Sequence, residues 1–264
     1  MPQLEKFSFG DVLAVVSNKT YLWVTDYKSF LYKIKIKTNK LIKKIKVGKN
    51  PYGIAINSKY VWVLNAGDNS VSKINISTNI SEMFIRLSNK ASVSGISSDE
   101  TNVWVTDSSN GVVYKISCLT GKIVNTIEVG ANPTGISSDG KNVWVANNSG
   151  GNIGSVSQIN CSSGKVVNTI KVGRSPFGIS SDGINVWVTN NNGSNSSVSQ
   201  ISTVLFKNVE NYTVNGLFQA EYTLNNIFSD GANVWTLVSS PQNGVHKIVC
   251  PKPYGDPKGT ITIN

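Results

Sequence analysis

Few residues of this chain are equipped for catalysis. A single histidine, His246, stands in the run Val245-His246-Lys247-Ile248. One imidazole excludes a multi-histidine metal site and leaves any histidine-based triad to that residue alone. The three cysteines, Cys118, Cys161 and Cys250, are an odd number and form no disulfide framework. Glycine-rich runs fall at turns, and none has the form of a phosphate-cradling loop. What does recur is an oxygen-bearing side chain. Asp26, Asn65, Asp107, Asn147 and Asn190 each stand three residues after a tryptophan. Carboxylate and amide oxygens gathered together suit a hard cation such as Ca²⁺ or Mg²⁺. The same side chains also cap strand ends by bonding nearby backbone. Both readings are carried forward, and no resident cofactor is expected.

The elements that must position these residues come from repetition. Tryptophans at 23, 62, 104, 144, 187 and 235 are spaced by 39, 42, 40, 43 and 48 residues. Each sits in a copy of one unit, written most fully as GISSDGINVWVTN from Gly178 to Asn190. A period of ~40–45 residues with four strand-like segments is the pattern of a β-propeller blade. The expected fold is therefore all-β: a six-bladed propeller of four-stranded antiparallel blades, with 1–264 as one domain. The G-I-S-S segment reads as the innermost strand. Asn18, Asn57, Asp99, Asp139, Asp182 and Asp230, five residues before each Trp, read as turn formers. N-V-W-V-T-N is the second strand, with Trp and Val buried on opposite faces. V-S-K-I-N and S-V-S-Q-I-N are third strands, and K-V-V-N-T-I-K-V-G is an exposed fourth. Cys118, Cys161 and Cys250 end third strands where other units have Ile, so they read as buried, reduced thiols. Leu4–Gly10 aligns with a fourth strand, and Gly259–Ile263 competes for the same slot. His246 falls on a third strand.

In a propeller, loops from fourth to first strands share a face with loops from second to third strands. That face collects Lys49-Asn50-Pro51-Tyr52, Asn89–Ser92, Ala131–Thr134 and Arg174-Ser175-Pro176-Phe177. Binding candidates are thus Asp26, Asn65, Asp107, Asn147 and Asn190, with Tyr52, Phe177, Lys49 and Arg174 around them. Loops on a rigid scaffold are where function concentrates.

The net charge is +10, with charged residues only 15% of the chain. Lys28 to Lys49 alone holds nine lysines. Lys33, Lys35 and Lys37 alternate with Ile and read as one face of a strand. Lys43, Lys44 and Lys46 mark the outer strand, giving the first blade a basic edge. Such an edge attracts nucleic acid or an anionic surface, and edge lysines equally block strand-to-strand aggregation. Met1–Gly10 has no apolar signal-peptide core and no run is long enough to span a membrane. The expectation is a soluble intracellular protein.

Pro51–Asn65 (PYGIAIN…YVWVLN) and the P-x-G-I-S…N-V-W-V-T-N units resemble the YVTN/NHL class of β-propeller repeats. The resemblance implies a propeller used for protein or RNA binding or as a scaffold. Gly150–Asn160 is similar to blades of the virginiamycin B lyase class, which implies a Mg²⁺ site built from His and Glu on neighbouring loops. This chain has one His, and Glu5, Glu82, Glu100, Glu128, Glu210 and Glu221 do not cluster near it. The reading is a non-catalytic binding or scaffold module with a protein partner. A metal-dependent lyase- or hydrolase-like propeller and a basic nucleic-acid-binding propeller are the alternatives.

Overall fold

The structure, a computed structural model of the chain, describes residues 12–193, 196–203, 207–213, 223–229, 234–239 and 244–248. Leu4–Gly10, Asp230, Cys250 and Gly259–Ile263 lie outside them. The first sheet holds β1 (Val12–Ser17), β2 (Tyr21–Asp26), β3 (Phe30–Lys35) and β4 (Lys40–Lys46); the second β5 (Pro51–Ile56), β6 (Tyr60–Asn65), β7 (Ser70–Asn75) and β8 (Ser81–Arg86). In the third are β9 (Val93–Ser98), β10 (Asn102–Asp107), β11 (Val112–Ser117) and β12 (Ile123–Glu128); in the fourth β13 (Pro133–Ser138), β14 (Asn142–Asn147), β15 (Ile153–Asn160) and β16 (Lys165–Arg174). The fifth has β17 (Pro176–Ser181), β18 (Asn185–Asn190), β19 (Ser197–Ser202) and β20 (Lys207–Thr213). Three strands of a last sheet are described: β21 (Thr223–Ser229), β22 (Val234–Ser239) and β23 (Gly244–Ile248). Strands follow one another across each sheet, as hairpin connections dictate.

Two compact units divide the chain: Met1–Ser109 with Tyr114–Thr126, and Asn110–Val113 with Ile127–Asn264. β11 and β12 contribute residues to both. In the first unit, Trp23, Leu31, Ile45 and Val47 of one sheet pack with Val61, Val63 and Ile74 of the next. In the second, Trp144, Val156 and Ile170 pack with Ile179, Val186, Val188 and Ile201. Trp23, Trp62, Trp104, Trp144 and Trp187 are all at most 3% exposed, so the repeated indole is core packing. First strands lie close: a Cβ on Gly135 would stand 2.3 Å from the Phe177 carbonyl oxygen. Glycine in G-I-S-S is thus a requirement of approach between sheets.

The turn before each Trp is one structure repeated five times. Asp139 Oδ1 accepts from the N–H groups of Lys141 and Asn142, and Asp182 Oδ1 from those of Ile184 and Asn185. Asn18, Asn57 and Asp99 do the same two and three residues on. Where the turn residue is Asp, its second oxygen also accepts from the following indole: Trp104 at 2.8 Å, Trp144 at 2.9 Å and Trp187 at 3.3 Å. Burial pushes the Asp99 carboxyl up, but the bonds from Trp104, Thr101 and Asn102 outweigh it and hold it below its usual value.

Two expectations need correction. β3 stops at Lys35, and Ile36–Thr38 is a single 3-10 turn closed by Asn39 in a left-handed conformation. Lys37 therefore leaves the strand face assigned to it. Lys33 is also not on an open face. It is 4% exposed, with its ammonium 4.0 Å from the Tyr21 ring and bonded to Ile76 O and Asn79 Oδ1 of the neighbouring sheet. Cys118 and Cys161 follow β11 and β15 by one residue and are buried free thiols. Burial first, then Asp99, pushes the Cys118 thiol up to about 12. No helix among the described residues is long and apolar enough to cross a membrane.

Candidate functional site

The Asn and Asp three residues after each Trp end the second strands, and the structure turns all five inward. Asp26 is 1% exposed, and Asn65, Asp107, Asn147 and Asn190 are fully buried. Of the two readings carried from the sequence, a polar ring and strand-end caps, their burial accords with the second: they act as locks inside the sheets, in two chemical forms.

In the first form the residue is Asn and its amide donates to two serines of the third strand. Asn65 Nδ2 bonds Ser70 and Ser72, Asn147 bonds Ser155 and Ser157, and Asn190 bonds Ser197 and Ser199. The incoming fourth strand ends in glycine beside each. A Cβ on Gly48, Gly130 or Gly173 would lie 2.5–2.6 Å from the Cγ of Asn65, Asn147 or Asn190. Gly48 N–H donates to Asn65 Oδ1 at 3.0 Å.

In the second form the residue is Asp and a tyrosine replaces the inner serine. Tyr32 OH donates to Asp26 Oδ2 at 2.7 Å, and Tyr114 OH to Asp107 Oδ2 at 3.0 Å. The other oxygen holds backbone: Asp26 Oδ1 accepts from Lys28 and Phe30 N–H, Asp107 Oδ1 from Ser92 N–H. Ser88 stands in the glycine's place and bonds Tyr114. Burial, then the carboxylate, pushes both phenols up to about 12. These tyrosines and serines escaped the sequence reading. The signal was there, because Asp goes with Tyr and Asn with Ser in every described copy.

Above each of the three Asn locks lies the loop from fourth to first strand. Asn50, Asn132 and Ser175 all adopt left-handed backbone, with φ of 48°, 46° and 49°. Their carbonyls accept from the N–H groups of Ala66, Asn148 and Asn191, next after the lock residues. Loop backbones are thus fixed alike while their side chains differ. In the first unit Lys49 is exposed and Tyr52 is 44% exposed. In the second, Arg174 is exposed and Phe177 half-buried. Arg174 is the last residue of the long β16, not a loop residue, and pairs with Ile153.

The basic residues separate by depth. Lys35 is half-buried at the end of β3, and Lys37 is exposed in the turn. Lys43, Lys44 and Lys46 are exposed along β4, with the Lys44 ammonium 3.9 Å from the Phe30 ring. His246 lies on β23, opposite Thr236.

The chain matches known proteins in shape. A hydrazine synthase from Kuenenia stuttgartiensis superposes with a TM-score of 0.77 at 18% identity, over 94% of this chain and 79% of that one. The fold is that of a β-propeller repeat protein. A catalytically inactive virginiamycin B lyase from Staphylococcus aureus, solved with quinupristin, gives a TM-score of 0.70 at 18% identity, over 89% of this propeller chain and 83% of the lyase. No family model and no curated protein matches the propeller in sequence.

Proposed function

We propose that the six sheets are the blades of a single propeller that acts as a non-catalytic binding or scaffold module. The binding groups are the side chains in and beside the fourth-to-first-strand loops, and the partner is a protein. One observation carries this reading. In each of the five described copies the Asn or Asp that ends the second strand makes internal hydrogen bonds, while the side chains above it differ from copy to copy. A backbone fixed by identical locks that displays Lys49 and Tyr52 in one place and Arg174 and Phe177 in another is suited to recognition. Asp26 and Asp107, the acids a metal-dependent enzyme would draw on, spend their oxygens on a tyrosine and on backbone N–H groups.

The test is retention of a partner from native extract on the immobilised chain, compared with the variant Lys49→Ala/Tyr52→Ala/Arg174→Ala. A specific protein should be held by the parent and lost by the variant at an unchanged thermal midpoint. Equal retention by both, or no specific partner, overturns the proposal.

A further inference from the structure

The outer strand of the first sheet is built differently from the others. β4 reads Lys-Leu-Ile-Lys-Lys-Ile-Lys and, among the described residues, forms the last strand of its sheet, paired with β3 alone. Lys40 to Lys44 are exposed without a break, as is Lys46. No acidic residue occurs between Asp26 and Asp68, and Asp26 is buried under Tyr32. Among the described residues, none of Lys40, Lys43, Lys44 and Lys46 is ion-paired. Protection of an edge does not require so much charge. β12 presents Ile123-Val124-Asn125-Thr126-Ile127-Glu128 with a single charged residue, and β8 balances Glu82 with Arg86.

Among the described residues the backbone of β4 is also uncovered. Val47 N–H donates to Ser29 O. Antiparallel pairing alternates from there, so the N–H and C=O groups of Lys46 and Lys44 point away from β3. Leu41 and Ile42, each 44% exposed, extend the same edge with apolar surface. Of the nearby aromatic rings, Tyr32 is buried, Phe30 lies under Lys44 and Tyr27 is 61% exposed, so one open ring is too few for a run of stacked bases.

We propose that the β4 edge takes an acidic, extended protein segment as a fifth strand. Its carboxylates meet Lys44 and Lys46, which alternation sets on one face of the strand, and its backbone pairs with the outward groups of the same two residues. This surface is separate from the fourth-to-first-strand loops, so it can fail or stand without the reading given above.

The probe is an acetylated ten-residue peptide alternating Glu and Val, with the Lys-Val peptide and a 20-nucleotide single-stranded DNA as the other arms. Binding to the full chain is followed by fluorescence anisotropy at two salt concentrations and by amide exchange. The acidic peptide should bind and weaken with salt. Lys43→Glu/Lys44→Glu/Lys46→Glu should cost about tenfold or more in affinity. A variant with the same change of charge elsewhere, Lys19→Glu/Lys59→Glu/Lys141→Glu, should bind at least about threefold more tightly than that edge variant. Bound peptide should slow exchange at the amides of Lys44 and Lys46. Four outcomes overturn the proposal: no binding of the acidic peptide, equal loss in both variants, binding without protection at those amides, or preference for the DNA.

Discussion

Sheets 1 and 3 close the end of the second strand with Asp and Tyr, whereas sheets 2, 4 and 5 close it with Asn and two serines. The backbone result is the same in both groups. The energetics differ. In the Asn form a neutral amide is shared between two hydroxyls, and the approaching strand must end in glycine because the side chain fills the space of its Cβ. In the Asp form a buried carboxylate depends on a phenol for one oxygen, and Ser88 is accommodated in sheet 3 where sheet 2 has Gly48. Buried charge is costly unless fully bonded, so the Asp form should be less forgiving of a lost donor. The Asn form should be less forgiving of added volume.

Added volume is the sharper way to separate the two. Gly48→Ala would set a methyl group 2.5 Å from Asn65 Cγ, so it should destabilise by about 2–3 kcal/mol. In an Asn65→Ala background that cost should fall by ~1 kcal/mol or more, because the clash partner is gone. Urea unfolding of the four proteins reads the coupling, and additive costs would show that glycine serves another purpose there. Loss of a donor ranks next. Tyr114→Phe takes the phenol from Asp107 Oδ2 and should cost ~1–3 kcal/mol. Ser157→Ala leaves Asn147 its bond to Ser155 and should cost under about 1 kcal/mol. Equal costs would erase the distinction between charged and neutral locks.

The blade period and the turn before each Trp were legible because they depend on residues within one hairpin. The indole spacing and the Asx turn are local, and five of five described copies behave alike. The locks were not legible in the same way. Each joins the end of a second strand to a third-strand residue, and all but the Asp26 lock also meet a described glycine or serine that precedes the first strand of their sheet, so no short window contains them. Their clue is a linked change between repeats: Asp26 with Tyr32 and Asp107 with Tyr114, against Asn65 with Ser72 and Asn190 with Ser199. Lys33 misled for a related reason. Alternation with Ile34 and Ile36 is the pattern of an exposed strand face, yet the Tyr21 ring and the carbonyl of Ile76 from the next sheet make a site for its ammonium. Alternation identifies a face without revealing what covers it.

Alkaline titration distinguishes the two lock types in a single protein. Tyr32 and Tyr114 are pushed up to about 12 in the fold, against ~10 for an exposed phenol. Between those values the unfolded phenol gives up its proton while the folded one keeps it, so ionisation favours the unfolded chain. The contribution is therefore intact below pH ~10 and is lost as the pH climbs from about 10 to about 12. Phenolate absorbance should show late phenols that include these two, and one fewer in Tyr114→Phe. Both ionising with the exposed tyrosines would remove the buried Asp–Tyr bond as a distinct element. Cys118, pushed up to about 12 as well, should stay unlabelled by a thiol reagent at pH 8 until the chain unfolds.

The smallest expected effect concerns the loops above the locks. Asn50, Asn132 and Ser175 share a left-handed backbone, and each turns its carbonyl onto the N–H that follows a lock. Asparagine tolerates that conformation better than serine does. Sheets 2 and 4 are thus entered through the better-suited residue and sheet 5 through the poorer one. Ser175→Asn should raise stability by about 0.5 kcal/mol, read as a small upward shift of the urea midpoint. Asn132→Ser should lower it by a similar amount. If both changes lower stability, the Ser175 hydroxyl contributes something that the shared backbone geometry does not require, and the three loops are not equivalent frames for the residues they display.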